Sequence, residues 1–152
     1  GGYASALSFP TTIFERITVA GDLTRNFSQR EVQCRCGKCK GVGRISPALL
    51  KCLQDMRNEA GPIRITSGVR CTQHPESKKR PTSSHIPKDL ADLEGRVGHA
   101  VDIATIGSSR RRFILLAAAI RAGFRRIGVG KNFLHLDNDK SKVPDVIWDY
   151  YD

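Results

Sequence analysis

The chain has 152 residues and four histidines, His74, His85, His99 and His135, and its chemistry turns on which of them can meet a carboxylate. Catalytic zinc takes three protein ligands and keeps a fourth position for water or substrate, so two His and one Asp suffice. His135 lies in Phe133-Leu134-His135-Leu136-Asp137, where strand alternation puts His135 and Asp137 on one face and Leu134 and Leu136 on the other. Taken alone, such a His fits a structural role as well as a ligand role. Asp102 sits among Ala100, Val101, Ile103 and Ala104, where burying a carboxylate is costly unless a metal or an Arg meets it.

The elements that must position these groups can be read from caps and periodicity. Ser28 can cap a short turn ahead of Glu31, and Ile17 to Ala20 reads as a short strand. Ser46-Pro47 opens a helix over 46–57 whose Leu49, Leu50, Leu53 and Met56 share a face, and Gly61-Pro62 ends it. Ile63 to Thr66 alternates as a half-buried strand. From Cys71 to Gly98 the chain is polar, with Pro75, Pro81 and Pro87 and no period, which predicts a long surface excursion. Strands are expected at His99 to Ala104, near Arg126 to Val129 and at Phe133 to Asp137. Ser108 or Ser109 caps a helix through Ile120 that stops at Gly123. Together these predict an α+β fold, with helices packed on a small antiparallel sheet.

Length and composition bound the rest. The size fits one core, read as an arm over 1–26 followed by a single domain over 27–152. No apolar stretch reaches the roughly 18 residues of a membrane span. The opening Gly1 to Pro10 has neither Met nor the basic, apolar start of a secretory signal, so removal of something upstream is the expectation and export is not decided there. The formal charge of +10 draws the chain toward polyanions. Its basic clusters, Lys78 to Arg80, Arg110 to Arg112 and Arg125-Arg126, lack the interleaved aromatics that stack bases, so no specific nucleic-acid partner is expected. Cys34, Cys36, Cys39, Cys52 and Cys71 leave two disulfides with a spare thiol, or a structural zinc, both open. No Cys has a His or Asn partner that would mark a nucleophile.

Read together, Ile65-Thr66-Ser67-Gly68-Val69-Arg70-Cys71, Ser84-His85, Gly98-His99-Ala100-Val101-Asp102-Ile103, Phe133-Leu134-His135-Leu136-Asp137 and Val146-Ile147-Trp148-Asp149-Tyr150 resemble the zinc D-Ala-D-Ala carboxypeptidase family. That family holds cell-wall peptidases of bacteria and phage endolysins and shares its fold with the hedgehog signalling domain. The resemblance covers roughly residues 27 to 150. It implies a zinc-dependent peptidase acting on peptidoglycan stem peptides, as a D-Ala-D-Ala carboxypeptidase or an L-Ala-D-Glu type endopeptidase. It also implies action in the periplasm or cell wall, from a secreted or phage virion-associated protein with virion or lysis partners.

Carried over residue by residue, Asp102 and His135 fall on zinc-ligand positions. For the first His, the family spacing of about six residues before the Asp lands on Gly95. His85 keeps the preceding Ser84 and requires an insertion, Ile86 to Gly95, whereas His99 is nearer but three residues from Asp102, which on a strand turns it to the opposite face. His85 is the expected third ligand and His99 the alternative. His74 matches a family His that is not a ligand. Arg70 matches the family Arg that faces the reaction centre and stabilises the oxyanion. Family branches carry a carboxylate three residues before the last His, where this chain has Asn132, so Asp137 is expected to handle the water proton or else to orient His135. Asp89, Asp92 and Glu94 are further proton carriers to consider. Asn132 keeps a second expectation open, a non-catalytic zinc-binding or structural module of the same fold.

Overall fold

The computed structural model describes residues 21–41, 43–87 and 97–151. The expected strand at Ile17 to Ala20, and Asp89, Asp92 and Glu94, lie outside these. In chain order the elements are α1 (Gln29–Val32), β1 (Arg44–Ile45), α2 (Pro47–Ala60), β2 (Ile65–Ser67), α3 (Pro75–Lys79), β3 (Val97–Gly98), β4 (Ala100–Ala104), α4 (Ser109–Ala122), β5 (Arg126–Val129), β6 (Phe133–Asp137) and β7 (Val146–Asp149).

The two long helices begin and end where their chemistry dictates. Ser46 Oγ accepts the Leu49 amide at 3.0 Å with Pro47 in the first turn, and Ser108 Oγ accepts the Arg111 amide at 3.1 Å. Gly123 closes α4 at φ 103°, a left-handed conformation that an L side chain rarely adopts. Leu49, Leu53 and Met56 of α2 and Leu115, Ala118 and Ala119 of α4 are buried and pack with Val101, Ile103, Ile127, Leu134 and Leu136 of the sheet. This is one core between a helical layer and one sheet face. Residues 21–26 join it from the side, with Thr24 Oγ1 donating to Gln54 of α2 at 2.7 Å.

The main sheet has the order β2-β4-β6-β5-β7. Its first four strands are antiparallel as expected, but β7 runs parallel to β5, so the sheet is mixed. The loop after β6 accounts for this. It passes the start of β5, where the Asp145 and Val146 amides donate to the Arg125 carbonyl at 2.7 and 3.1 Å, and so brings β7 in alongside β5 from the same end.

The expected surface excursion over 71–98 is only partly one. It contains α3, capped by His74, and ends in β3, which pairs parallel to β1 as a separate two-stranded sheet. Ser84, His85 and Ile86 in its middle are buried. The chain folds inward there because both flanks hold it. Arg70 N donates to the His85 carbonyl and His99 N to the Ser84 carbonyl, each at 3.0 Å, while Ser84 Oγ donates to Asp139 Oδ2 at 2.7 Å.

Candidate metal centre

The site is built on one row of residues across the sheet. The register pairs Ser67 with Asp102, Asp102 with His135, His135 with Gly128 and Gly128 with Trp148. Alternation fixes the face: Val101, Ile103, Leu134 and Leu136 enter the core, so Asp102 and His135 project from the opposite side. His85 comes to this row from the loop after α3, its ring centroid 5.1 Å from that of His135.

Hydrogen-bond partners fix the tautomers of both imidazoles. His85 Nδ1 donates to the Gly68 carbonyl at 2.7 Å, and His135 Nε2 donates to Asp137 Oδ2 at 2.7 Å. His85 Nε2 and His135 Nδ1 are left facing Asp102 Oδ1, each at 3.1 Å. With both rings neutral, two nitrogen lone pairs and a carboxylate oxygen point at one another, an arrangement that requires a cation or a proton among them. Tetrahedral zinc holds N and O ligands about 3.4 Å apart, and one donor atom from each of His85, Asp102 and His135 lies within 4.8 Å of the others. The donor set fits zinc.

Burial works to raise the Asp102 carboxyl, yet hydrogen bonds and charge from His135 and His85 hold it well below the ordinary carboxylate range. Burial pushes the His85 imidazole down, against the pull of Asp102. Burial opposes protonation of His135 too, but the two carboxylates beside it, Asp102 and Asp137, pull it up. The two rings differ because only His135 has an anion on each side.

Arg70 donates from Nη2 to Asp102 Oδ2 at 3.0 Å and from Nε to Ser67 Oγ at 3.0 Å, so it meets the second oxygen of the carboxylate and lines the cavity in front of the cluster. That cavity is about 230 Å³, and Glu76, Arg80, Phe133 and Tyr150 also line it. Asp137 stands behind His135, only 1 % exposed. Its Oδ1 accepts Arg126 Nε at 2.8 Å and the Asp139 amide at 3.1 Å. It is not among the residues lining the cavity.

Asn132 is exposed, with its carbonyl accepting the Thr105 amide at 2.9 Å. His74 Nδ1 accepts the Glu76 amide at 3.0 Å as the cap of α3. His99 lies between β3 and β4 and lines a different cavity with Ser46 and Asn138.

Three contributors were not singled out from sequence: Gly128, Glu76 and Arg80. Gly128 is the most instructive, because a Cβ there would meet Trp148 Nε1 and Tyr150 Cε2, each at 2.7 Å. Its bare backbone lets the Trp148 ring settle 5.5 Å from that of His135, with the Arg126 guanidinium 5.2 Å from the indole centroid. A Gly inside an alternating strand was the available signal.

A mixed sheet covered by helices on one face, with two His and one Asp meeting on the other, defines an α+β domain with a candidate mononuclear metal centre. The family model described as Peptidase M15 matches residues 25–137, and the chain belongs to that family of zinc-dependent metallopeptidases. Comparisons with curated proteins and with solved structures give no match. Among the described residues no helix is long and apolar enough to cross a membrane.

Proposed function

We propose that the chain is a zinc peptidase that hydrolyses peptidoglycan stem peptides, with His85 Nε2, Asp102 and His135 Nδ1 holding the metal. The observation that carries this reading is the convergence of those two ring nitrogens on one carboxylate oxygen, each at 3.1 Å. A bound zinc ion supplies Lewis acidity toward the scissile carbonyl and makes a water more acidic.

The protein's own residues do the rest. Arg70 fixes Asp102 through its second oxygen and offers a guanidinium where the carbonyl oxygen gains charge. Asp137 is a positioning residue here: it keeps the proton of His135 on Nε2 and so leaves Nδ1 free. Among the described residues Glu76 is the carboxylate besides Asp102 that lines the cavity, and in this reading it takes the water proton and returns it to the leaving amine. Arg70 and Arg80 give the cavity a cationic wall suited to a substrate with a free carboxylate near the cut bond. Both D-Ala-D-Ala and L-Ala-D-Glu stem-peptide bonds offer one. The activity belongs in the periplasm or cell wall, delivered by secretion or on a phage particle.

Muropeptide digestion followed by mass spectrometry, with and without chelator, tests the proposal and identifies the bond. The expected result is chelator-sensitive release of a D-amino acid or of a cleaved stem peptide that His135→Ala lacks. Equal digestion by His135→Ala refutes it. Tight zinc binding with no turnover on any muropeptide favours the second reading, a non-catalytic wall-binding or virion component, for which Asn132 in place of a carboxylate is the supporting feature.

A further inference from the structure

The peptidase reading leaves unused a second cluster, which includes Cys71 at the end of the Ser67–Cys71 segment. Cys34, Cys36, Cys39 and Cys71 each offer a sulfur, and all four sulfurs lie within 4.8 Å of one another. Three come from the turn that follows α1 and the fourth from the residue after Arg70. No disulfide joins the five cysteines, all of which are among the described residues. We infer that these four thiols form a structural zinc site, distinct from the His85–Asp102–His135 centre.

Geometry favours one shared ion over two disulfides. Tetrahedral zinc with Zn–S bonds of about 2.3 Å sets its sulfurs about 3.8 Å apart, and Cys36 Sγ is 3.6 Å from Cys71 Sγ. Two disulfides would draw the sulfurs into separate pairs, whereas here all four lie within 4.8 Å of one another.

The backbone is arranged for thiolates. The Lys38 amide donates to Cys36 Sγ at 3.3 Å and the Cys71 amide to Cys34 Sγ at 3.3 Å. The first of these depends on Gly37, whose φ of 77° turns the Cys36-Gly37-Lys38-Cys39 segment back on itself. Each thiol gives its proton to solvent on binding, so a zinc with four thiolates carries a net charge of two minus. Arg35, Lys38 and Lys40 in the same segment supply the opposing charge. Cys52, on α2, is not part of the cluster.

Such an ion would act as a clamp on the segment that carries Arg70. Val69 N already donates to the Val32 carbonyl at 2.8 Å, an approach close enough that a Cβ on Gly68 would meet that oxygen at 2.2 Å. Binding at Cys71 would extend the attachment across the Arg70 position. The site thereby joins the segment around α1 to the strand end that supports Asp102.

Cobalt(II) is the direct probe, because the His85–Asp102–His135 centre has no sulfur donor and cannot give thiolate-to-cobalt charge-transfer absorption. The full chain, reconstituted anaerobically with cobalt, is expected to show that absorption together with the intense visible bands of a tetrahedral site. The His85→Ala/His135→Ala double variant should keep both. Purified wild type should hold two zinc ions per chain by elemental analysis, and Cys36→Ser/Cys71→Ser should hold one while still cutting muropeptides in a zinc-dependent manner. Absence of the charge-transfer band from wild type overturns the inference, and since that measurement needs no variant, misfolding of a mutant cannot rescue it. Absence of muropeptide hydrolysis by the wild type counts against the peptidase reading and leaves this one standing.

Discussion

Asp137→Asn separates the two roles that the sequence allows for this carboxylate. In the folded chain Asp137 accepts three donors, His135 Nε2 on Oδ2 and both Arg126 Nε and the Asp139 amide on Oδ1. Asparagine offers one oxygen and one amide group. The oxygen satisfies most by replacing Oδ1, which turns the amide N–H toward His135 Nε2. Two donors then face each other unless His135 moves its proton to Nδ1, the nitrogen 3.1 Å from Asp102 Oδ1. A protonated Nδ1 cannot bind metal. Losing such a ligand-orienting partner weakens zinc about 10- to 100-fold, or about 1.4 to 2.8 kcal/mol. Arg126, whose side chain is 13 % exposed, also loses its anionic partner, and breaking a buried pair costs about 3 kcal/mol. Competition with a chromophoric chelator gives the zinc affinity and urea titration the stability. If Asp137→Asn binds zinc within twofold of wild type while kcat falls more than a hundredfold, Asp137 is the proton carrier and the positioning argument is wrong.

Three other predictions are independent of that one. Arg70→Ala should lower kcat by about 10²- to 10³-fold while zinc stays bound, the loss typical of one oxyanion donor; unchanged steady-state kinetics would remove Arg70 from the reaction centre. Gly128→Ala should displace Trp148 and lower turnover, and because the chain has a single Trp, its emission reports the change directly; a wild-type spectrum with wild-type kcat/KM would contradict the cross-sheet row. Burial, then the Arg70 charge, holds the His74 imidazole below its usual value, so its contribution as the cap of α3 is present above about pH 6.5 and is lost as pH falls through the folded value. The protection factor of the Glu76 amide, which compares its exchange with the intrinsic rate at the same pH, should therefore fall on acidification in wild type and stay flat in His74→Asn, whose cap does not titrate; identical profiles would sink the idea.

Much of this architecture is legible in the residues. Both long helices announce themselves through Ser46-Pro47 and Ser108 and their glycine stops, because capping is a local interaction within a few residues of chain. The faces of β4 and β6 follow from alternation alone. Local rules could not supply the direction of β7, which depends on a loop passing the start of β5, nor the buried middle of the 71–98 segment. Ser84 and His85 lie in a stretch that reads as a polar surface excursion, and they become interior because partners distant in sequence, Gly68, Asp102 and Asp139, satisfy their polar atoms. Gly128 escaped notice for a related reason: its role lies in what stacks over it from a neighbouring strand.

The same contacts explain why counting residues between the first His and Asp102 is a poor guide in this chain. His85 takes its position from both sides rather than from the length of chain that follows. Its carbonyl is held by the Arg70 amide, its ring by the Gly68 carbonyl, and the preceding Ser84 by His99 N and Asp139. The number of residues between Ile86 and Val97 has little leverage on that position, because Ser84 and His99 are already held beside each other. The added closure entropy grows only with the logarithm of loop length, about 0.6 kcal/mol for each doubling. An insertion that would disrupt a ligand pair carried on one continuous strand therefore leaves this pair intact. The residue those anchors hold beside Asp102 and His135 is His85, while the nearer His99 lines a different cavity.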